Sequence, residues 1–212
     1  MSSAPLQTSP ETTRYAKRLP RDQRRQQILD AALPEFMENG FSGAHISDIA
    51  EAIGVSKPVI YSIFPGKNAL ATAVVEEAHR IEAERHLDAG VAEDYEMLAH
   101  GRVVPLLTTT FEVTADNVDL ARFLYSNFRE APPEAVEFHY FAFEQRTVGL
   151  RHYLLQYFIG RPGMENLASS AADLISTVSR LGITQIARGE KSDPKQLAES
   201  YGVIVEGGIT SL

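Results

Sequence analysis

The chain has 212 residues, 44% of them hydrophobic and 23% charged, enough apolar material for a sizeable core in one large domain or two small ones. No apolar run has the length of a membrane-spanning helix, and the first twenty residues contain no hydrophobic signal core. The absence of cysteine excludes disulfides, thiolate metal sites and a cysteine nucleophile. Together these features predict a cytoplasmic protein with no membrane partner.

The net charge of −8 is unevenly spread. Residues 1–67 hold eight Lys/Arg against seven Asp/Glu, whereas residues 68–212 hold twelve against twenty-one. Within residues 14–25 there are six basic residues and one acid, Asp22. An acidic body with a basic end suits presentation of that end to a polyanion. A solvated tail has the same composition, so charge alone leaves both readings open.

In chain order, residues 1–20 read as a disordered basic arm, the first twelve being rich in Ser, Thr and Pro. Helical periodicity runs over residues 22–87, with breaks at Asn39-Gly40, Gly54 and Pro65-Gly66. In the first of these helices Ile28, Ala32 and Phe36 recur beside Leu29, Leu33 and Met37, and Pro34 is expected to kink it. A second helical region starts near Glu93, broken near Thr114, at Ala131-Pro132-Pro133, at 160–163 and at 189–193. No strand alternation and no internal repeat is evident. The expected fold is all-α.

The informative stretch is HISDIAEAIGVSKPVIYSIFPGK, residues 45–67. Ile46, Ile49, Ala50 and Ile53 give one short helix a single apolar face. Gly54 then stands where a left-handed residue ends a helix cheaply. Ser56 is placed to cap a second helix, with Lys57 and Pro58 in its first turn and Ile60, Ile63 and Phe64 on its buried side. Two helices of about two turns joined around a glycine form a helix-turn-helix, with room only for a small side chain at the crossing, where Ala50 stands. Lys57, Pro58, Val59, Tyr61 and Ser62 stay outside the buried face. Lysine can donate to guanine, Pro58 and Val59 can pack on a thymine methyl, and the hydroxyls of Tyr61 and Ser62 can donate to phosphate. A structural helix pair without nucleic acid is the competing reading.

The anchors Arg25, Ile28, Leu29, Ala31, Ala32, Phe36, Gly40 and Phe41, followed by Ile49, Ala50, Gly54, Val55, Ser56, Ile60, Tyr61, Phe64, Lys67 and Leu70, resemble the DNA-binding region of TetR-family transcriptional regulators. The resemblance covers about a quarter of the chain without a gap. It implies a homodimeric, ligand-responsive repressor that binds double-stranded DNA at a palindromic operator. It also implies a helix-turn-helix domain over 21–68 and a helical ligand-binding and dimerisation domain over 69–212. By the same resemblance Lys57, Pro58 and Val59 read bases, while Ser56, Tyr61 and Lys67 hold phosphates, with His45 and Ser47 nearby at the start of the preceding helix. A cation at a helix N-terminus opposes the dipole, and phosphate binding would account for Lys67 there. The chain departs from the family pattern at His45, where a Thr cap is usual, and at Ile63, where a His is common.

Residues 123–158 carry ten of the eighteen aromatics. With the polar groups Arg122, His139, Glu144 and Arg146 among them, they suggest an apolar pocket for a small apolar or aromatic effector, and an ordinary aromatic core is the alternative. The expected lining is Phe111, Phe123, Phe128, His139 and Phe143. Leu167, Ala171, Leu174, Val178 and Leu181 form a seam of coiled-coil spacing, and Leu197, Tyr201 and Val205 share one side of the last segment. Both are expected at a four-helix dimer interface, with Ala168, Ala172, Gly182, Gly202 and Gly208 permitting close approach.

One rival belongs to a different class. His79, Glu82 and His86 share a helical face with possible metal geometry, which would suit a metal-binding bundle or metalloenzyme. Against it, no second ligand helix is evident, and residues 76–85 are as polar as a solvated surface. No nucleophile elbow, phosphate loop or paired-carboxylate signature appears, so neither an enzyme nor a cofactor is expected.

Overall fold

The computed structural model describes residues 19–126, 128, 130–159, 164–190 and 193–210. Most of the basic arm, the break at 160–163 and part of the break at 189–193 therefore lie outside the described residues. Among those described there are ten helices and no strand. They are α1 (Arg21–Gly43), α2 (Ile46–Ala52), α3 (Lys57–Tyr61), α4 (Lys67–Asp88), α5 (Val91–Leu98), α6 (Val104–Asp116), α7 (Val118–Ser126), α8 (Pro133–Tyr157), α9 (Glu165–Ala187) and α10 (Pro194–Thr210). None of the described helices is long and apolar enough to cross a membrane.

The interruption of α1 falls at Gly40 (φ 68°, ψ −179°), while the dihedrals remain helical through Pro34. This corrects the expected kink. Pro34 lies on the exposed side of α1, where water can replace the hydrogen bond its ring removes. Gly54 has φ 66°, the left-handed stop that the motif requires between α2 and α3. Two local expectations need correction. Helix α3 is only five residues long, and neither Ser56 nor His45 makes a side-chain cap hydrogen bond.

Two apolar cores form. The first joins Ile28, Leu29 and Phe36 of α1 to Ile49, Ile60, Leu70 and Val74, and extends to Leu120, Phe123 and Leu124 of α7 and Ala135 of α8. Phe41, just past the Gly40 break, packs its ring 5.4 Å from Phe123 and 5.6 Å from Phe128. The second core gathers Leu98, Leu107, Phe111, Leu154, Ala172, Ile175 and Ile183.

Helix α10 lies against α6. The Glu206 carboxylate accepts the backbone N–H groups of Val103 and Val104, the latter at 2.8 Å, and so supplies the cap that the start of α6 lacks. Val205 belongs to the second core, with Leu197 and Tyr201 packed against it. The α10 face expected at a dimer interface is therefore turned into its own chain. Most of the small residues are used inside the chain as well: Ala168 and Ala172 are fully buried, a Cβ on Gly182 would sit 2.2 Å from the Phe111 ring, and one on Gly202 would sit 2.5 Å from Val104.

Gly182→Ala should therefore cost about 1–3 kcal/mol through overpacking against Phe111. Gly149→Ala, in α8 with nothing within 4 Å of its Cβ position, should stabilise by up to about 1 kcal/mol. Urea melts of the two variants beside the parent chain check this opposition.

Candidate functional site

The head presents α3 outward. Lys57, Pro58, Tyr61, Ser56 and His45 are exposed, and Val59 and Ser47 half-buried. Ile60 and Phe64 hold the helix by burying its other side, with Ile63 packed against the same core. The Ser62 hydroxyl donates to the Val59 carbonyl at 2.7 Å, which fixes the last turn. Lys67 is half-buried, and its Nζ donates to the Ser42 carbonyl at 2.7 Å. That bond ties the start of α4 to the end of α1 and gives a cation at a helix N-terminus a structural partner.

Below the head, α4 carries a polar cluster that periodicity misjudged. Residues expected on a solvated face are buried: Glu77, His79 and Glu82. Glu77 accepts from Arg80 and from Gln26 of α1, the latter at 2.8 Å, and the Arg80 hydrogen bond holds its carboxyl below the usual range against the opposing effect of burial. Glu82 accepts from Tyr125 at 2.6 Å and from the Arg146 guanidinium, and His79 Nδ1 lies 3.3 Å from it. Arg146 also donates to the Tyr125 hydroxyl at 2.8 Å, and His79 Nε2 meets His139 Nδ1 at 3.0 Å. Burial acts to raise the Glu82 carboxyl, but the Arg146 charge and three hydrogen bonds outweigh it and hold the group far below the carboxylate range. Burial drives the Tyr125 hydroxyl up and, with the charge of His79, pushes His139 down to about 4.

The metal reading gives way here. Glu82 is taken up by Arg146 and Tyr125, His86 Nδ1–H donates to the Glu82 backbone carbonyl at 2.7 Å, and no metal-holding group forms among the described residues.

Beside this cluster lies a cavity of about 260 Å³. Leu87, Val91, Leu106, Leu150 and Ile183 form much of its wall, with His86, Tyr95, Thr110, Arg146, Ser176 and Ser179 as its polar groups. Of the expected lining only Phe143 is on this wall. Phe111 is fully buried against Gly182, and Phe123 packs on Phe41 of the head. Phe128 stacks on His139 with centroids 4.3 Å apart, and both face a separate cleft with Tyr140 and Arg180.

A family model for bacterial regulatory proteins of the tetR family matches residues 28–74. The transcriptional activator FasR of Mycolicibacterium smegmatis is 43% identical over 75 residues, 35% of this chain and 31% of that protein. The transcriptional repressor AcnR of Corynebacterium diphtheriae is 35% identical over 92 residues, 43% of this chain and 48% of that protein. The matched part thus spans about a third to a half of the length of these curated relatives. Solved structures share the fold over most of the chain. A TetR-family regulator from Mesorhizobium loti superposes with a TM-score of 0.66 at 18% identity, covering 92% of this chain and 98% of that one. FadR from Bacillus subtilis, solved in complex with stearoyl-CoA, gives 0.60 at 20% identity, covering 86% and 98%. Residues 28–74 thus match the tetR-family model, on a fold that solved TetR-family regulators share over most of the chain.

The curated relatives that match the head are named as transcriptional regulators, FasR as an activator and AcnR as a repressor. The head is legible as a local motif, whereas the Glu82–Arg146 pair joins residues 64 apart and has no signal in spacing. The available hint was Arg146 itself, an arginine set among aromatics near His139.

The cluster predicts how stability responds to acid. His139 titrates near 6.5 when unfolded and near 4 when folded, so the unfolded chain binds the extra proton and stability falls as pH drops across that window. Glu77 and Glu82, both depressed, extend the loss through the carboxylate range at lower pH. Denaturant melts should show stability falling from pH 7 to pH 5, with His139 contributing about 1–2 kcal/mol after allowance for its partial exposure. The fall should shrink by that amount in His139→Gln.

Proposed function

We propose that the chain is a ligand-responsive repressor that binds a palindromic operator as a dimer and is released by a small apolar or aromatic effector. The carrying observation is the pairing of an outward-facing α3, bearing Lys57, Pro58 and Tyr61, with a largely apolar cavity against the far end of α4. The head would comprise residues 21–68 and the ligand-binding and dimerisation body 69–212. In the head, Lys57, Pro58 and Val59 read base edges. Ser56, Tyr61 and Lys67 hold phosphates, with Ser62 beside them and His45 and Ser47 flanking them from α2. Lys67 keeps two N–H groups beyond the one given to Ser42, enough for a phosphate oxygen.

FadR was solved with stearoyl-CoA, but a cavity of about 260 Å³ suits something smaller here. A cavity of about 150 Å³ holds benzene, so this one takes about ten carbon atoms.

Exposure supports a dimer face that includes α8 beside α9, while α10 leaves Val203 and Ile204 exposed on the side away from its buried row. Leu174 and Leu181 of the predicted seam are each 48% exposed. Beside them α8 exposes Phe141 at 53% and Val148 at 47%, one heptad apart, with Leu155 a further heptad on. The hydrogen bond from Thr147 to Ser176, 2.9 Å, sets the two helices side by side, so the two apolar rows form one surface.

Selection of bound fragments from random duplex DNA tests the reading as a whole, and enrichment of a palindrome is the expected result. On that operator Lys57→Ala should cost about 1–3 kcal/mol and relax preference at one base position. Tyr61→Phe should weaken all sequences alike by about 1 kcal/mol. Lys67→Ala should also act on every sequence and lower the salt slope by about one unit. A Lys57→Ala variant that loses operator and scrambled DNA equally would remove its base-reading role. For the dimer, Leu174→Glu should convert a stable dimer to monomers in sedimentation equilibrium, because it places a charge in the apolar face.

A further inference from the structure

The cavity wall carries one guanidinium, that of Arg146, whose charge is already answered from within the protein. Glu82 is buried, and the Arg146 guanidinium donates to its carboxylate and to Tyr125. Since Glu82 stays ionised, the pair has no net charge toward the cavity. His139, the histidine paired with His79 behind it, is held neutral near pH 7. A guanidinium has five N–H groups. Glu82 and Tyr125 take one each, which leaves N–H groups on a side chain that lines the cavity.

We infer that the effector is an uncharged apolar molecule with one strong hydrogen-bond acceptor, a ketone, lactone or amide carbonyl, that sits against Arg146, while Glu82 acts as a fixed counter-ion that turns carboxylates away. This rests on the cavity being the effector site. An incoming carboxylate would share one guanidinium with Glu82, and two like charges at that separation in a water-poor site repel strongly. A plain hydrocarbon would strip water from the remaining Arg146 N–H groups and return nothing. A neutral carbonyl accepts a charge-assisted hydrogen bond and leaves the Glu82 pair intact. The volume of about 260 Å³ fits two fused rings.

Titration calorimetry of the full chain with acetylnaphthalene, naphthoate and naphthalene tests the inference. Acetylnaphthalene should bind at least about tenfold tighter than either of the others. Glu82→Gln, which removes the counter-ion, should move the preference toward naphthoate by about tenfold or more. Ser179→Phe, which fills the cavity from α9, should abolish binding of all three. Naphthoate or naphthalene binding as tightly as acetylnaphthalene to the parent chain overturns the proposed class while leaving the cavity as the effector site. Binding that survives Ser179→Phe, or no binding by any probe, overturns the cavity reading itself. Should Glu82→Gln fail to fold, the ranking on the parent chain decides.

Discussion

Glu82 is a carboxylate with almost no access to water, and it is tolerated because Arg146 reaches it from another helix. Removing one partner of such a pair leaves an uncompensated buried charge, at a cost of about 3–5 kcal/mol. Apolar contacts between helices tolerate small slides, because one methyl group replaces another at little expense. A guanidinium that must meet a carboxylate and a phenol at once does not. The Glu82, Tyr125 and Arg146 contacts therefore set the register of α4, α7 and α8 more tightly than their packing alone.

That register matters because α4 runs from the core of the head to the wall of the cavity. Its first turns place Leu70, Ala71, Val74 and Ala78 in the core of the head, while Ala83, His86 and Leu87 near its end line the cavity. Gln26 of α1 reaches Glu77 of α4, and Lys67 holds the Ser42 carbonyl, so the head grips the start of the same helix through polar contacts as well. Under the proposed function, a molecule in the cavity acts on a rigid rod whose other end is fastened to α1. It changes DNA affinity only so far as it binds one placement of that rod better than another.

The sequence was readable where structure is local. The α2–α3 pair, the stop at Gly54, the break at Gly40 and the all-helical class follow from neighbouring residues, whose periodicity and turn chemistry act within a few positions. The burial of α4 was not readable in that way. Glu77, His79 and Glu82 look like a solvated face until Gln26, Tyr125, His139 and Arg146 are brought to them from other helices. Aromatic density likewise marked the right part of the chain without saying which rings were core. Phe111 fills the space over Gly182, and Phe123 and Phe128 join the body to Phe41 of the head.

The inward turn of the Leu197, Tyr201 and Val205 row of α10 has the same origin. A heptad row states that a face is apolar and is silent on what covers it. On α10 the row finds α6 of its own chain, held there by Glu206 on the open N–H groups of Val103 and Val104 and by the close approach of Val104 to Gly202. On α9 the corresponding row leaves Leu174 and Leu181 uncovered beside the equally uncovered Phe141 and Val148 of α8. Apolar residues at heptad spacing on adjacent, hydrogen-bonded helices make a surface broad enough to pack against a copy of itself, whereas an isolated exposed leucine needs no such explanation. Intramolecular partners claim the apolar rows they can reach, and what they leave exposed, Val203 and Ile204 of α10 included, becomes the place to look for the second subunit.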